Sequence, residues 1–299
     1  MISHAIAARF YDCQFQTADS ELHESAHCGD TLSLRKLITQ DVYKDQIDKR
    51  NHLGCTPLRL AATGGHVESS RILLEAGASI DISDVKGQTP LFVAVKNNHC
   101  DCALLLLQHG ANPEGSEENV ATPLYTAAMN GFLVMVKILI QFGANVTCQN
   151  VRVFRPFSMD PLQIAVAYQQ FECVKLLLRA GANAQSSTRE AAPLYHVAVK
   201  QRCAVGFLQL LYEFGVSVYT RDNHGKFPWL YDLSGYPEEE RHRVLQYFST
   251  IREEPRSLKS SSRLCVHHTL SRADRLRRLD TLCLPSTLLD YLAYHDIHR

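Results

Sequence analysis

The sequence predicts an all-α solenoid of stacked helix pairs joined by β-turn fingers, followed by a small module of three short helices. Three observations predict it. Thr-Pro-Leu recurs at a fixed period, a Gly-Ala marker keeps step with it, and the composition shifts over residues 255–299. A period in the range of 20–50 residues is the signature of units that cannot bury an apolar face alone but do so when stacked.

Thr56-Pro57-Leu58, Thr89-Pro90-Leu91 and Thr122-Pro123-Leu124 stand 33 residues apart. Weaker copies are Asp160-Pro161-Leu162, Ala192-Pro193-Leu194 and Phe227-Pro228-Trp229. The second marker runs through Gly77-Ala78, Gly110-Ala111, Gly143-Ala144, Gly181-Ala182 and Gly215-Val216. Thr before Pro predicts a helix start: the hydroxyl oxygen accepts an orphan backbone N–H, and Pro has no N–H to lose there. Pairs such as Ala61-Ala62 and Ala127-Ala128 give that helix a thin face for a neighbour. An acidic residue opens a second helix carrying a triplet such as Ile72-Leu73-Leu74. The marker Gly closes it in the left-handed conformation. The remaining residues of each unit form a finger such as Asp84-Val85-Lys86-Gly87.

These motifs resemble the ankyrin repeat, with its T-P-L-x-x-A-A-x-x-G-H and L-L-L-x-x-G-A signatures. Six units are traced. The first is degenerate: Ala26-His27-Cys28-Gly29-Asp30 and Leu34-Arg35-Lys36-Leu37-Ile38 match, without a Thr-Pro-Leu. A half unit follows the sixth, because Asp222-Asn223-His224-Gly225-Lys226-Phe227-Pro228 copies the stretch from Asp84 to Pro90. The step from Pro123 to Pro161 is 38, and the surplus reads as an enlarged finger over residues 148–158. Residues 1–21 read as an N-terminal extension that either caps the first unit or is mobile.

Composition narrows the function. Lys+Arg and Asp+Glu are both 31, which argues against bulk attraction to nucleic acid or a membrane surface. No apolar run reaches the roughly 18 residues of a membrane span. The first residues lack the basic and long apolar regions of a signal peptide, so the expected location is cytoplasmic, with room for a nuclear pool. The ten cysteines form no C-x-x-C pair and read as reduced, packed thiols. His99-Cys100-Asp101-Cys102 looks like a metal cluster, yet its members fall on ordinary repeat positions. No phosphate loop, nucleophile elbow or H-E-x-x-H is present, so no catalytic residue, metal or cofactor is expected.

The tail differs. Pro237-Glu238-Glu239-Glu240 begins a connecting helix over 237–254, and residues 255–299 carry net +4. Leu258, Cys265 and Val266 fall at helical spacing, Ser271-Arg272-Ala273-Asp274 forms a capping box, and Leu288, Leu289 and Leu292 give a last helix. Pro255-Arg256-Ser257-Leu258, with Arg263-Leu264-Cys265-Val266, resembles the elongin-C-binding half of a SOCS box. Leu284-Pro285-Ser286-Thr287 takes the place of its cullin-binding half. Ser262 and Thr287 depart from the usual Cys and second Pro; an unpaired Ser262 hydroxyl in an apolar interface would cost about 1–3 kcal/mol.

Together the repeats (22–236) and the tail (255–299) resemble the ankyrin repeat and SOCS box family. The resemblance implies a substrate adaptor of an E3 ubiquitin ligase. Leu258, Leu264, Cys265 and Val266 would bind the elongin B/elongin C heterodimer through elongin C. Leu284, Pro285 and Leu288 would contact cullin-5, which brings its RING protein. A protein client would be held by Asp84, Val85 and Lys86 on one finger, Glu117 and Glu118 on the next, and Arg152, Phe154, Arg155 and Phe157 in the enlarged loop. The alternative is an ankyrin scaffold or inhibitor whose tail is only a degenerate cap.

Overall fold

A computed structural model describes residues 20–40, 43, 46–119, 121–147, 160–184 and 193–253. Among these residues the regular structure is helical throughout. The chain divides into two compact units, 1–123 and 124–299.

The first unit holds α1 (Glu21–Cys28), α2 (Thr31–Ile38), α3 (Pro57–Gly64), α4 (Val67–Glu75), α5 (Pro90–Lys96) and α6 (Cys100–Gln108). They pack as two rows, α1 on α3 on α5 and α2 on α4 on α6, and the two helices of each repeat pack on each other. The second unit contains α7 (Pro123–Asn130), α8 (Leu133–Gln141), α9 (Pro161–Ala167), α10 (Phe171–Arg179), α11 (Leu194–Lys200) and α12 (Val205–Glu213). A 3-10 turn (Pro228–Leu230) and α13 (Glu238–Glu253) end it. Here α9 packs on α10 and α11, and α12 packs on both α11 and α13.

The caps predicted at Thr56 and Thr89 form, while the Ser271–Asp274 capping box lies outside the described residues. Thr56 Oγ1 accepts from Arg59 N at 3.3 Å and Thr89 Oγ1 from Phe92 N at 3.2 Å. Asp160 and Gln163 close a reciprocal capping box at 2.7 and 3.2 Å. The second helices end as paired bonds around a left-handed Gly, as where Gly77 N reaches Leu74 O and Ala78 N reaches Leu73 O. Their acidic residues sit one step inside the helix, as Glu68, Asp101 and Glu172 in the first turn, rather than at its opening position.

The first helices turn through a second left-handed position: Gly29, Gly65, Asn98, Gly131, Gln169 and Arg202. A Cβ on Gly65 would come within 2.6 Å of the His99 ring, because that ring lies over the turn and donates Nε2–H to Thr63 O at 3.1 Å. His66 does the same to His27 O at 2.9 Å, and Gln170 reaches Met129 O at 3.4 Å. The repeat histidine is thus a clamp onto the preceding unit, and His99 is committed to that bond.

Seven residues before each left-handed position stands a buried side chain: Leu22, Leu58, Leu91, Leu124, Leu162 and Tyr195. Each such burial contributes about 1.5–3 kcal/mol. This register corrects two sequence assignments. Ser20-Glu21-Leu22-His23 is the missing opening of the first unit, with Ser20 at the N-cap and Leu22 in the core. In the sixth unit Pro193 is the N-cap rather than the first helical residue. Ala192-Pro193-Leu194 is therefore one step out of register, and Tyr195 rather than Leu194 takes the central core place.

Candidate functional site

Three fingers among the described residues are each built around one polar residue. Asp84 Oδ1 accepts from Lys86 N at 2.8 Å and Gln88 N at 2.9 Å, while Asp84 N donates to Gln88 O at 3.1 Å. Asn51 closes the preceding finger with the same bonds, from Leu53 N and Cys55 N. Asp222 closes the half unit, from His224 N and Lys226 N, as its copied sequence predicts. Asp84 Oδ2 also receives Arg59 Nη2 at 2.6 Å. Asp84 is 5% exposed. Its carboxylate is consumed inside the finger, which corrects its assignment as a client contact.

The other described candidates are at the surface. Val85 is 70% exposed, and its N–H donates to Leu53 O at 3.2 Å, which sets two apolar finger-tip residues side by side. Lys86, Glu117 and Glu118 are exposed. The two fingers are in close contact, since a Cβ on Gly87 would come within 2.6 Å of the Glu118 backbone. Gly87 at φ +71 is thus required twice, by its conformation and by its neighbour. Arg152, Phe154, Arg155 and Phe157 lie outside the described residues, as do Leu258, Leu264, Cys265, Val266, Leu284, Pro285 and Leu288.

Sequence reading did not find what joins the last repeats to α13. Tyr195 Oη donates to Leu208 O at 2.7 Å and lies 3.0 Å from Tyr247 Oη, and Tyr247 Oη also reaches Leu208 O at 2.9 Å. A tyrosine in a leucine place needs such partners for its hydroxyl. Glu240 Oε1 accepts from Val205 N at 2.6 Å, capping α12 from α13. At the other end of α13, Tyr219 Oη donates to Ile251 O at 3.3 Å. The Trp229 ring stacks on Phe227 with centroids 4.6 Å apart, and the Arg252 guanidinium lies 5.6 Å from the Trp229 centroid. The only advance signal was the aromatic density of residues 219–231.

Burial also sets the chemistry of the thiols. It pushes Cys173 to about 11 and Cys203 to about 12, so both are neutral at pH 7 and neither is poised as a nucleophile. His196 is enclosed likewise. Its Nε2–H donates to Lys226 O at 2.9 Å, and its Nδ1 is buried with no hydrogen-bond partner. Burial first, and then Lys200, hold the imidazole below its ordinary value, against the opposing pull of the Lys226 carbonyl and Asp222. The unfolded state therefore takes up a proton more readily than the folded one. The stability His196 contributes is complete above the unfolded value of about 6.5 and is lost as pH falls below it. Urea unfolding followed from pH 7.5 to 5.5 should show this loss. His196→Gln, which keeps a donor for Lys226 O, should flatten the profile, and an unchanged slope would reject the assignment.

The ankyrin-repeat family matches residues 22–117 and 124–222, and the SOCS box family matches residues 254–293. Mouse ankyrin repeat and SOCS box protein 1 is 42% identical over 302 residues, covering 92% of this chain and 88% of that protein. The chain belongs to the ankyrin repeat and SOCS box family.

Mouse ankyrin repeat and SOCS box protein 12, another relative, is 38% identical and covers 91% of this chain and 90% of its own length. The crystal structure of the human ASB11 ankyrin repeat domain superposes with a TM-score of 0.63 at 29% identity, covering 80% of this chain and all of that domain. The Bcl-3 ankyrin repeat domain, at 24% identity and a TM-score of 0.62, shares the fold. At family level, ankyrin repeats with a SOCS box make a substrate adaptor for an E3 ubiquitin ligase, a role that is generally non-enzymatic. Among the described residues no helix is long and apolar enough to cross a membrane.

Proposed function

We propose that this chain is the client-recognition subunit of a cytoplasmic elongin B/C–cullin-5 RING ubiquitin ligase. The observation that carries the reading is the presence, in one chain, of ankyrin repeats over 22–222 and a SOCS box from 254, joined through a helix bonded to the last repeats. Leu258 is the apolar anchor for a pocket on elongin C, with Leu264, Cys265 and Val266 beside it. Leu284, Pro285 and Leu288 face the cullin. The client sits on finger tips that include Val85, Lys86, Glu117 and Glu118, and on the enlarged loop with Arg152, Phe154, Arg155 and Phe157. Rate enhancement then comes from holding a client lysine near the ubiquitin thioester, with no residue of the adaptor at the reacting bond. The result is ubiquitination and proteasomal degradation of the client.

Affinity purification from cell lysate tests this. The full chain should recover elongins B and C and cullin-5, and a chain ending at Glu254 should lose all three while keeping its clients. Recovery of the ligase subunits by both chains, or by neither, would leave a binding solenoid without a recruiting tail.

A further inference from the structure

Beyond residue 226 the chain carries nearly all of its positive charge as guanidinium. Residues 227–299 contain ten arginines and one lysine, Lys259, whereas residues 1–226 contain eleven arginines and nine lysines. Local structure does not account for this on α13. Arg241 approaches Glu238 at 3.9 Å and Arg243 approaches Glu240 at 3.5 Å, each as a single i,i+3 surface contact. An ammonium makes such a contact as well as a guanidinium does. Arg252 is different, because its guanidinium lies over the Trp229 ring, where a planar cation has an advantage.

The placement of α13 gives the difference a chemical meaning. The helix is held near its start by Glu240 on Val205 N, in its middle by Tyr247 on Leu208 O, and at its end by Ile251 and Arg252. Residue 254, where the SOCS box match begins, follows directly. An amine on the exposed side of α13 would therefore be kept at a defined place beside the recruiting module, at a high effective concentration toward whatever that module brings. A lysine Nζ there would attack the thioester carbonyl of ubiquitin carried on the conjugating enzyme. The enzyme's cysteine thiolate would leave, an isopeptide bond would form, and Nζ would lose a proton. A guanidinium stays protonated and offers no nucleophile.

We propose that Arg241 and Arg243 of α13 are a self-sparing device. They retain the positive charge while withholding the acceptor amine, so that ubiquitin is directed to the client rather than to the adaptor. The proposal rests on the adaptor reading above.

The test is self-modification in a client-free mixture of the full chain with elongins B and C, cullin-5, its RING protein and a ubiquitin-charged conjugating enzyme. Arg241→Lys with Arg243→Lys should raise the rate about threefold or more. Mass spectrometry should find ubiquitin on residue 241 or 243, with elongin affinity unchanged. Arg241→Gln with Arg243→Gln should stay at the wild-type rate. Equal rates for the lysine variant and wild type, modification confined to lysines already present, or an equal rise in the glutamine variant would each overturn the proposal. Failure of the wild-type chain to bind elongins B and C would instead reject the adaptor reading.

Discussion

Asp84→Ala should cost the first unit about 3–5 kcal/mol, the range for removing one partner of a buried ion pair. The substitution leaves Arg59 without its carboxylate and the N–H groups of Lys86 and Gln88 without their acceptor. Asp84→Asn should cost about 1–2 kcal/mol, because an amide oxygen can close the finger, as Asn51 does in the preceding unit. Repeat arrays need not unfold in one step, so amide hydrogen exchange at Lys86, Gln88 and α3 is the proper readout. Protection in Asp84→Ala within about 0.5 kcal/mol of wild type would show that the finger does not depend on this carboxylate. The Asn variant also separates two roles: it should keep client capture, whereas a direct charged contact would lose it.

The second large effect concerns the tail. Leu258→Ala with Cys265→Ala should weaken binding of purified elongin B/C by about a hundredfold or more, since apolar anchors in a desolvated pocket carry most of an interface's energy. Titration calorimetry gives the affinity directly. Circular dichroism should show the helical repeats intact, because the helices described for 20–253 are complete without these residues. An affinity within about threefold of wild type would mean that the anchor lies elsewhere in the tail.

The two predictions differ in how they became visible. Leu258 and Cys265 were legible as part of a linear motif. The role of Asp84 was not, because two of its carboxylate's three bonds are local but the third comes from Arg59, 25 residues earlier on α3. From the sequence alone a charged residue on a turn reads as exposed, and only the fold shows the guanidinium that meets it. Val85, Lys86, Glu117 and Glu118 do lie at the surface.

By itself the sequence determined the repeat architecture and the caps at Thr56, Thr89 and Asp160. Those features rest on interactions between residues a few positions apart: Thr56 with Arg59 N, Asp160 with Gln163, Gly77 with Leu74. Short-range geometry recurs with the residues that produce it, so it can be counted along the chain. The tertiary structure alone decided the register of the sixth unit, the opening of the first and the attachment of α13. Tyr195, Leu208 and Tyr247 meet across 52 residues of chain, and no spacing announces them. Which core place a side chain fills depends on the volume its neighbours leave, and that volume exists only once the helices have packed.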